Sequence, residues 1–235
     1  MGGALDVPGN TSPVAEFNSF ADPYAASAIL DASKSGLITL IMAPLDITTP
    51  HTIPFLDLIH SDYIPTSDGS LPSPTTGDTA PGPLKSFISA MLVRVRGLQA
   101  SFGLADAMEM HDPLAVWYAI AHASLPLGQS AKGWQIKQRE FKVERMGECT
   151  RGMCVIDRRG TGCEGEDRTK SDRLKNGTEA EAERVSKAVR EASLREEKEE
   201  AENKDKRNLP WVITHTPGSE VLREMVLGRV LAQSV

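Results

Sequence analysis

The sequence is poor in the features that mark several whole classes of protein. Its three cysteines, Cys149, Cys154 and Cys163, are too few and too clustered for a disulfide framework, and they lack the spacing or histidine partners of a zinc site. No apolar run approaches the ~18 residues that a membrane-spanning helix needs, and the first residues lack the basic and apolar stretches of a signal peptide. These absences predict a reduced cytoplasmic protein without membrane contact.

An excess of positive charge is also missing, since 26 basic residues stand against 32 acidic ones and the net charge is −6. Nucleic acid is therefore not an expected partner, because proteins that bind its phosphates usually carry a basic face. The charge is concentrated between residues 161 and 207, where more than half of the side chains are charged and none is aromatic. The rest of the chain is predicted to be a weakly charged globular body.

Helical and strand-like patterns alternate in the first sixty residues, as they do in α/β proteins. Asp22-Pro23 opens a predicted helix that ends near Gly36, and the apolar run 37–43 predicts a buried parallel strand. Thr49-Pro50 opens a second predicted helix. The predicted fold is an α/β domain with an open, mostly parallel sheet and flanking helices.

The later part of the chain contains further predicted helices and strands. Its predicted elements are a helix over 83–102, a helix opening at Asp112-Pro113, strands over 135–143, 153–157 and 210–214, and a closing helix over 219–231 with Val221, Leu222, Met225, Val226 and Val230 on its buried side. Residues 61–82 are rich in proline and serine and residues 160–208 are highly charged, so both are predicted to be insertions. A single domain is expected, with its core at 1–60, 83–159 and 209–235.

Polar side chains are dense in the loop that precedes the first predicted helix. Asn10, Glu16 and Asn18 offer two amides and a carboxylate, the mixture of donors and acceptors that sugar hydroxyl groups require. The same residues also suit an ordinary polar loop, because asparagine favours turns. The residues alone leave both interpretations open.

His111-Asp112 pairs an imidazole with a carboxylate at the start of a predicted helix. One interpretation makes Asp112 the N-cap of the helix and His111 an ordinary surface or core histidine. The other makes Asp112 an oxygen ligand for a hard cation and His111 a proton donor. Neither residue decides between the two.

Ordered blocks of sequence resemble the second half of the inosine/uridine-preferring nucleoside hydrolases. The blocks are Met1-Gly2-Gly3, Gly9-Asn10, Pro13-Val14-Ala15-Glu16-Phe17-Asn18, Asp22-Pro23-Tyr24-Ala25-Ala26, Pro44-Leu45-Asp46-Ile47-Thr48 and His111-Asp112-Pro113-Leu114-Ala115. Thr150-Arg151-Gly152, Val155-Ile156-Asp157 and Trp211-Val212 are similar to the family's tail. The resemblance leaves out residues 61–82 and 160–208.

This resemblance implies an open α/β fold that hydrolyses the N-glycosidic bond of purine and pyrimidine ribonucleosides to ribose and free base, around a bound calcium ion. Carried over by position, Asn10, Glu16 and Asn18 would hold the ribose hydroxyl groups, and Met1 would lie at the edge of the pocket. Such a site stabilises a sugar cation that resembles an oxocarbenium ion. The expected role in the cell is nucleoside salvage.

The resemblance also assigns His111 to the departing base, which it would protonate or hydrogen-bond, and Asp112 to the calcium ion. Members of the family begin with an aspartate-rich strand and loop that supplies most of the calcium ligands, and this chain has no adjacent pair of aspartates. The chain is therefore expected to correspond to the carboxy-terminal portion of the fold, truncated at its amino terminus. Its activity in isolation is expected to be impaired.

Two other functions stay open at this point. One is a catalytically silent nucleoside hydrolase-like subunit that keeps the sugar loop and contributes to binding or to a homo-oligomer. The other is a charged scaffold that acts through residues 161–207.

Overall fold

The structure is a computed structural model that describes residues 1–77, 80–158 and 208–231. Its helices are α1 (Phe17–Ala21), α2 (Pro23–Lys34), α3 (Leu45–Thr48), α4 (Phe55–Leu58), α5 (Pro83–Ser101), α6 (His111–His122) and α7 (Ser219–Met225). Its strands are β1 (Ile41–Met42), β2 (Thr52–Pro54), β3 (Ala107–Glu109), β4 (Gln135–Gln138), β5 (Lys142–Val143), β6 (Cys154–Val155) and β7 (Trp211–His215). Helices and strands are interleaved in the first sixty residues, as the sequence predicts, whereas β4 to β7 follow one another without an intervening described helix.

Helix α2 begins and ends where the sequence predicts. The carboxylate of Asp22 accepts a hydrogen bond from the backbone N–H of Ala25 at 2.9 Å, and Pro23 occupies the first helical turn, where it costs no hydrogen bond. The chain leaves the helix through Gly36, which has a φ of +75° that a side chain would disfavour. The prediction of a helix opening at Asp22-Pro23 is confirmed.

The predicted strand over 37–43 is shorter than expected. The backbone N–H groups of Leu37 and Ile38 both donate to the carbonyl oxygen of Ala32, so these residues complete the end of α2. The side chain of Leu37 is accordingly 79% exposed. Only Ile41 and Met42 form the strand. The prediction was too long because an apolar pattern does not reveal the backbone hydrogen bonds that hold the first part of the run to the helix.

The prediction of a helix that opens at Thr49-Pro50 is wrong. Residues 52–54 form β2, which pairs in antiparallel register with β3, and only Phe55–Leu58 are helical. The partner strand lies more than fifty residues further along the chain. Local periodicity could not reveal that pairing, which overrides the helical spacing of the apolar residues.

The described strands form one three-stranded sheet, in the order β1-β7-β4, and two separate pairs, β2-β3 and β5-β6. Strands β1 and β7 are parallel, with Ile41 opposite Trp211, whereas the other three pairings are antiparallel. The α/β class is as predicted, but the described sheets are small and only one of their four pairings is parallel, whereas a mostly parallel sheet was predicted. The parallel pair joins two segments that are 170 residues apart, so it ties the closing part of the chain to the first sixty residues.

Two apolar cores lie on opposite faces of the sheet. Neighbouring residues of β7 point into different cores, since Ile213 belongs to one and Val212 to the other. Leu114 and Trp117 of α6 pack in the first core, and Leu30 of α2 packs in the second. The sheet is therefore covered by helices on both faces, as in an α/β sandwich.

The closing helix is less regular than predicted. Helix α7 ends at Met225, and Val226–Val230 follow as a π-helical turn. Leu222 and Leu227 are buried, but Val221, predicted on the buried side, is 44% exposed. Val221 lies in the α-helical part, whose buried residue is Leu222, and the π-helical turn changes the side-chain spacing only after Met225, where Leu227 reaches the core.

The two predicted insertions differ in how much of them the structure describes. In residues 61–76, a short 3-10 helix at Ser61–Tyr63 is followed by chain without further helix or strand, and the carboxylate of Asp62 accepts hydrogen bonds from Thr75. The charged segment 160–208 lies outside the described residues, except for Asn208.

No described helix is long and apolar enough to cross a membrane.

Candidate functional site

The loop that carries Asn10 closes on itself through backbone hydrogen bonds. The N–H of Gly9 donates to the carbonyl oxygen of Pro13, and the N–H of Thr11 donates to that of Ala15. A Cβ atom at Gly9 would lie 2.2 Å from the carbonyl oxygen of Ala15, well inside any real contact. Glycine is therefore required at position 9 for the loop to fold back.

Glu16 is the buried centre of this loop, with only 1% of its surface exposed. Its Oε2 accepts hydrogen bonds from the backbone N–H groups of Gly3 at 2.8 Å and Ser19 at 3.1 Å, and its Oε1 accepts from Asn18 at 2.8 Å. The carboxylate caps helix α1 and ties it to the first residues of the chain. Sequence reasoning selected this residue for ribose, whereas its present contacts are all with backbone.

The two amides of the loop are exposed, in contrast to Glu16. Asn10 Oδ1 accepts a hydrogen bond from the backbone N–H of Phe17 at 3.0 Å. Asn18 Nδ2 donates to the carbonyl oxygen of Met1 at 3.4 Å, a long bond. The structure thus brings Met1, Glu16 and Asn18 together. Asn10 is held nearby, at Phe17, the first residue of α1.

The block 44–48 docks the amino-terminal segment beside this loop. The carboxylate of Asp46 accepts hydrogen bonds from the backbone N–H groups of Leu5 at 2.9 Å and Asp6 at 2.7 Å. The N–H of Leu45 donates to the carbonyl oxygen of Gly3 at 2.9 Å. The pairing of Asp46 with residues about forty positions earlier could not be read from the sequence.

The block Thr150-Arg151-Gly152 supports the other end of helix α1. The guanidinium of Arg151 donates to the carbonyl oxygens of Phe20 at 3.0 Å and Ala21 at 3.1 Å, which satisfies the end of the helix. A Cβ atom at Gly152 would lie 2.6 Å from the backbone of Phe20. The glycine therefore allows the close approach that brings Arg151 to the helix.

His111 is held at both ring nitrogen atoms. Its Nδ1 lies 2.8 Å from Oγ1 of Thr48, and its Nε2 lies 2.8 Å from Oε2 of Glu109. Thr48 is fully buried at the end of α3, and Glu109 is the last residue of β3. Neither partner was singled out from the sequence, although Glu109 stands only two residues before the histidine.

Asp112 is exposed in the first turn of α6. The interpretation of this residue as the N-cap is wrong, because the helix begins at His111 and the capping position is Met110, whose side chain makes no capping bond. An acidic residue in the first turn still favours the helix through its dipole. No described contact brings the Asp112 side chain to the loop around Glu16.

The described residues do not form a calcium site. Within them, no group of three or more histidine, cysteine, aspartate or glutamate side chains is arranged to hold a metal ion. Calcium takes six to eight oxygen ligands, and Asp112 offers one carboxylate. The donor set present therefore does not fit the ion that the sequence resemblance implies.

His51 is a buried histidine whose backbone carbonyl group binds the residue before His111. Its Nδ1 lies 2.7 Å from the carbonyl oxygen of Ile47, and its Nε2 lies 2.7 Å from Oγ1 of Thr216. Burial lowers the pKa of His51 below its usual 6.5. This histidine joins α3 to the segment before α7 and was not selected from the sequence.

The predicted site residues thus fall into two groups, one around Glu16 and one around His111. The block 44–48 contacts both groups, since Leu45 binds Gly3 and Thr48 binds His111. A cavity of about 380 Å³ opens beside Met1 and Asn18, and most of its lining is apolar. Its lining includes neither His111 nor Asp112.

The fold defines the chain as a nucleoside hydrolase-like α/β protein. It superposes on a plant nucleoside hydrolase, the PpNRh1 enzyme, with a TM-score of 0.56 and 16% sequence identity, over 99% of this chain and 52% of that one. The sequence model of the inosine-uridine preferring nucleoside hydrolases matches residues 1–191. The chain belongs to this family, as the ordered blocks of sequence predict.

A relative in Schizosaccharomyces pombe, the uncharacterized protein C1683.06c, is 26% identical over 157 residues. The alignment covers 67% of this chain and 41% of the relative. The chain therefore spans about half the length, or less, of the proteins that it matches.

Proposed function

We propose that this chain acts in the hydrolysis of the N-glycosidic bond of purine and pyrimidine ribonucleosides, which yields ribose and free base. The observation that carries the proposal is the family match, which spans residues 1–191 and so contains both the loop around Glu16 and His111. The expected cellular role is nucleoside salvage.

Asn10 and Asn18 are the residues we propose for the ribose hydroxyl groups. Both side chains are exposed, and the long bond from Asn18 to Met1 costs little to replace by a bond to the sugar. Glu16 holds the loop in place and keeps an acceptor position on Oε1, which accepts one hydrogen bond while Oε2 accepts two. Met1 lies beside Asn18 and would border the sugar.

His111 is the residue we propose for the departing base. Cleavage of the bond places an electron pair on a base nitrogen, and an anionic base is a poor leaving group near neutral pH. A proton or hydrogen bond from the imidazole offsets this charge while the sugar becomes an oxocarbenium-like cation. Its ring is already fixed by Thr48 and Glu109, so little motion is lost on binding.

We propose Asp112 as a single ligand of a hard cation, whose other ligands the described residues do not supply. One carboxylate is a weak site for calcium, so we expect the 235-residue chain to bind the ion weakly and to turn over slowly.

A silent subunit is the second candidate function. The hydrogen bonds from backbone N–H groups to both carboxylate oxygens of Glu16 favour it, since such a loop can persist for structural reasons alone. A cytoplasmic location and a homo-oligomer are proposed on sequence grounds.

The test is a hydrolysis assay with inosine and uridine at high enzyme concentration, with release of free base as the readout. We expect slow release that falls at least 10-fold in His111→Ala, because general acids contribute 10²–10⁴-fold at full activity. His215→Ala is the matched control, since His215 is exposed on β7. Binding of nucleoside without any release of base would favour the silent subunit, and no binding at all would contradict both.

A further inference from the structure

The environment of His111 determines which of its two nitrogen atoms carries hydrogen. An ionised carboxylate only accepts hydrogen bonds, so the 2.8 Å contact between Oε2 of Glu109 and Nε2 of His111 requires hydrogen on Nε2. In the neutral ring, Nδ1 is then the acceptor, and the hydroxyl group of Thr48 donates to it across 2.8 Å. The Glu109 contact selects the tautomer, and the Thr48 hydroxyl group, which can donate or accept, is compatible with it.

The two partners differ in access to solvent. Thr48 is fully buried in α3, directly after residues that bind the amino-terminal segment, so the Nδ1 side of the ring is closed. The side chain of Glu109 is 41% exposed and that of His111 is 23% exposed, so the Nε2 side faces the more open surface. A ligand can therefore reach the ring from the side of Glu109.

We propose that Glu109 is a positioning residue for His111: it holds the ring in its Nε2–H form, so that a base which takes the place of the Glu109 carboxylate meets a hydrogen-bond donor. This inference rests on the proposed function, in which His111 assists departure of the base. As the glycosidic bond breaks, its electron pair moves onto the base nitrogen, and the Nε2–H group offsets this charge by donating a hydrogen bond to the base. The ring keeps its proton, and Nδ1 keeps its hydrogen bond from Thr48.

The strand and helix that flank the histidine make this arrangement rigid. Glu109 lies opposite Thr52 in the pairing of β3 with β2, and the backbone N–H of Met110 donates to the carbonyl oxygen of His51 at 2.7 Å. His111 then opens α6, whose Leu114 is fully buried. The backbone is fixed on both sides of Glu109 and His111. Replacement of the Glu109 side chain should therefore remove its contact with the His111 ring without moving the backbone.

The tautomer can be measured directly by long-range ¹H–¹⁵N correlation NMR of ¹⁵N-histidine-labelled protein near pH 8, where histidine rings are mostly neutral. His111→Gln identifies the signal. We expect the Nε2–H tautomer in the wild type, a mixture of tautomers in Glu109→Ala, and recovery of the wild-type pattern in Glu109→Gln, whose amide oxygen still accepts. Glu140→Ala, which removes an exposed carboxylate paired with Lys34, should leave the His111 signal unchanged.

The hydrolysis assay supplies a second and separate readout. We expect Glu109→Ala to lower kcat about 10-fold with KM nearly unchanged, and Glu109→Gln to recover most of this loss. An Nδ1–H tautomer in the wild type, or an unchanged His111 signal in Glu109→Ala, would overturn the inference. The expected change of tautomer without hydrolysis of nucleoside by any variant would instead support the positioning role and contradict the proposed function.

Discussion

The carboxylate of Glu16 accepts a hydrogen bond from the backbone N–H of Gly3 across 2.8 Å, although the two residues are thirteen positions apart. The same carboxylate accepts from two N–H groups at the start of α1. One buried side chain therefore joins the first residues of the chain to the polar loop. The geometry of the proposed sugar site depends on this junction.

Replacement of this carboxylate should destabilise the protein markedly. Glu16→Gln places an NH₂ group against backbone N–H donors, so at least one buried donor loses its acceptor, which costs about 1–3 kcal/mol. We expect the free energy of unfolding in urea to fall by that amount. Glu148→Gln, at an exposed position, is the control and should change it by less than about 0.5 kcal/mol. Equal stability of the two variants would show that the Glu16 contacts are not needed for folding.

The close backbone approach at Gly9 gives a second prediction. In Gly9→Ala the new Cβ would meet the backbone of Ala15 at 2.2–2.4 Å, so the loop must open, and we expect a loss of stability above about 2 kcal/mol. Gly97→Ala is the matched control, because Gly97 lies inside α5 with nothing within 4 Å of the new Cβ. That variant should gain about 0.4–1 kcal/mol, since alanine favours the helix. Thermal unfolding followed by circular dichroism measures both changes, and a tolerated Gly9→Ala would contradict the loop geometry.

The buried His51 predicts a loss of stability in acid. Its folded pKa lies below the unfolded value of about 6.5, so the unfolded chain binds the proton first as the pH falls. Stability should therefore be fully present above the unfolded pKa, decline as the pH falls through it, and level off below the folded pKa. Urea midpoints measured from pH 8 to pH 5 should show this decline, with a smaller slope in His51→Gln. His215→Gln, at an exposed histidine, should keep the wild-type slope.

How far the sequence reveals this fold depends on the distance between the interacting residues. Asp22 and Pro23 open α2 as predicted, because a cap acts on N–H groups within three residues. The pairing of β2 with β3 was missed, because its partner lies more than fifty residues away and the local spacing suggests a helix.

The same limit applies to the candidate site. The ordered blocks identify Asn10, Glu16, Asn18 and His111, but not what each side chain contacts. The Nδ1 partner of His111 is Thr48, which is 63 positions earlier in the chain. A sequence pattern names a residue type at a position, whereas its hydrogen-bond partner is set by the tertiary fold.

Weak calcium binding is the last prediction. A ligand that binds only the folded state stabilises it by RT ln(1 + [L]/Kd), so a site with a Kd near 1 mM adds only about 0.4 kcal/mol at 1 mM calcium. We expect thermal unfolding with 1 mM CaCl₂ and with EDTA to differ by no more than this, and Asp112→Asn to remove the difference. Titration calorimetry with calcium should give little heat. Tight binding that survives in Asp112→Asn would contradict the placement of the ligand, and tight binding that Asp112→Asn abolishes would show that other oxygen donors of this chain gather around Asp112.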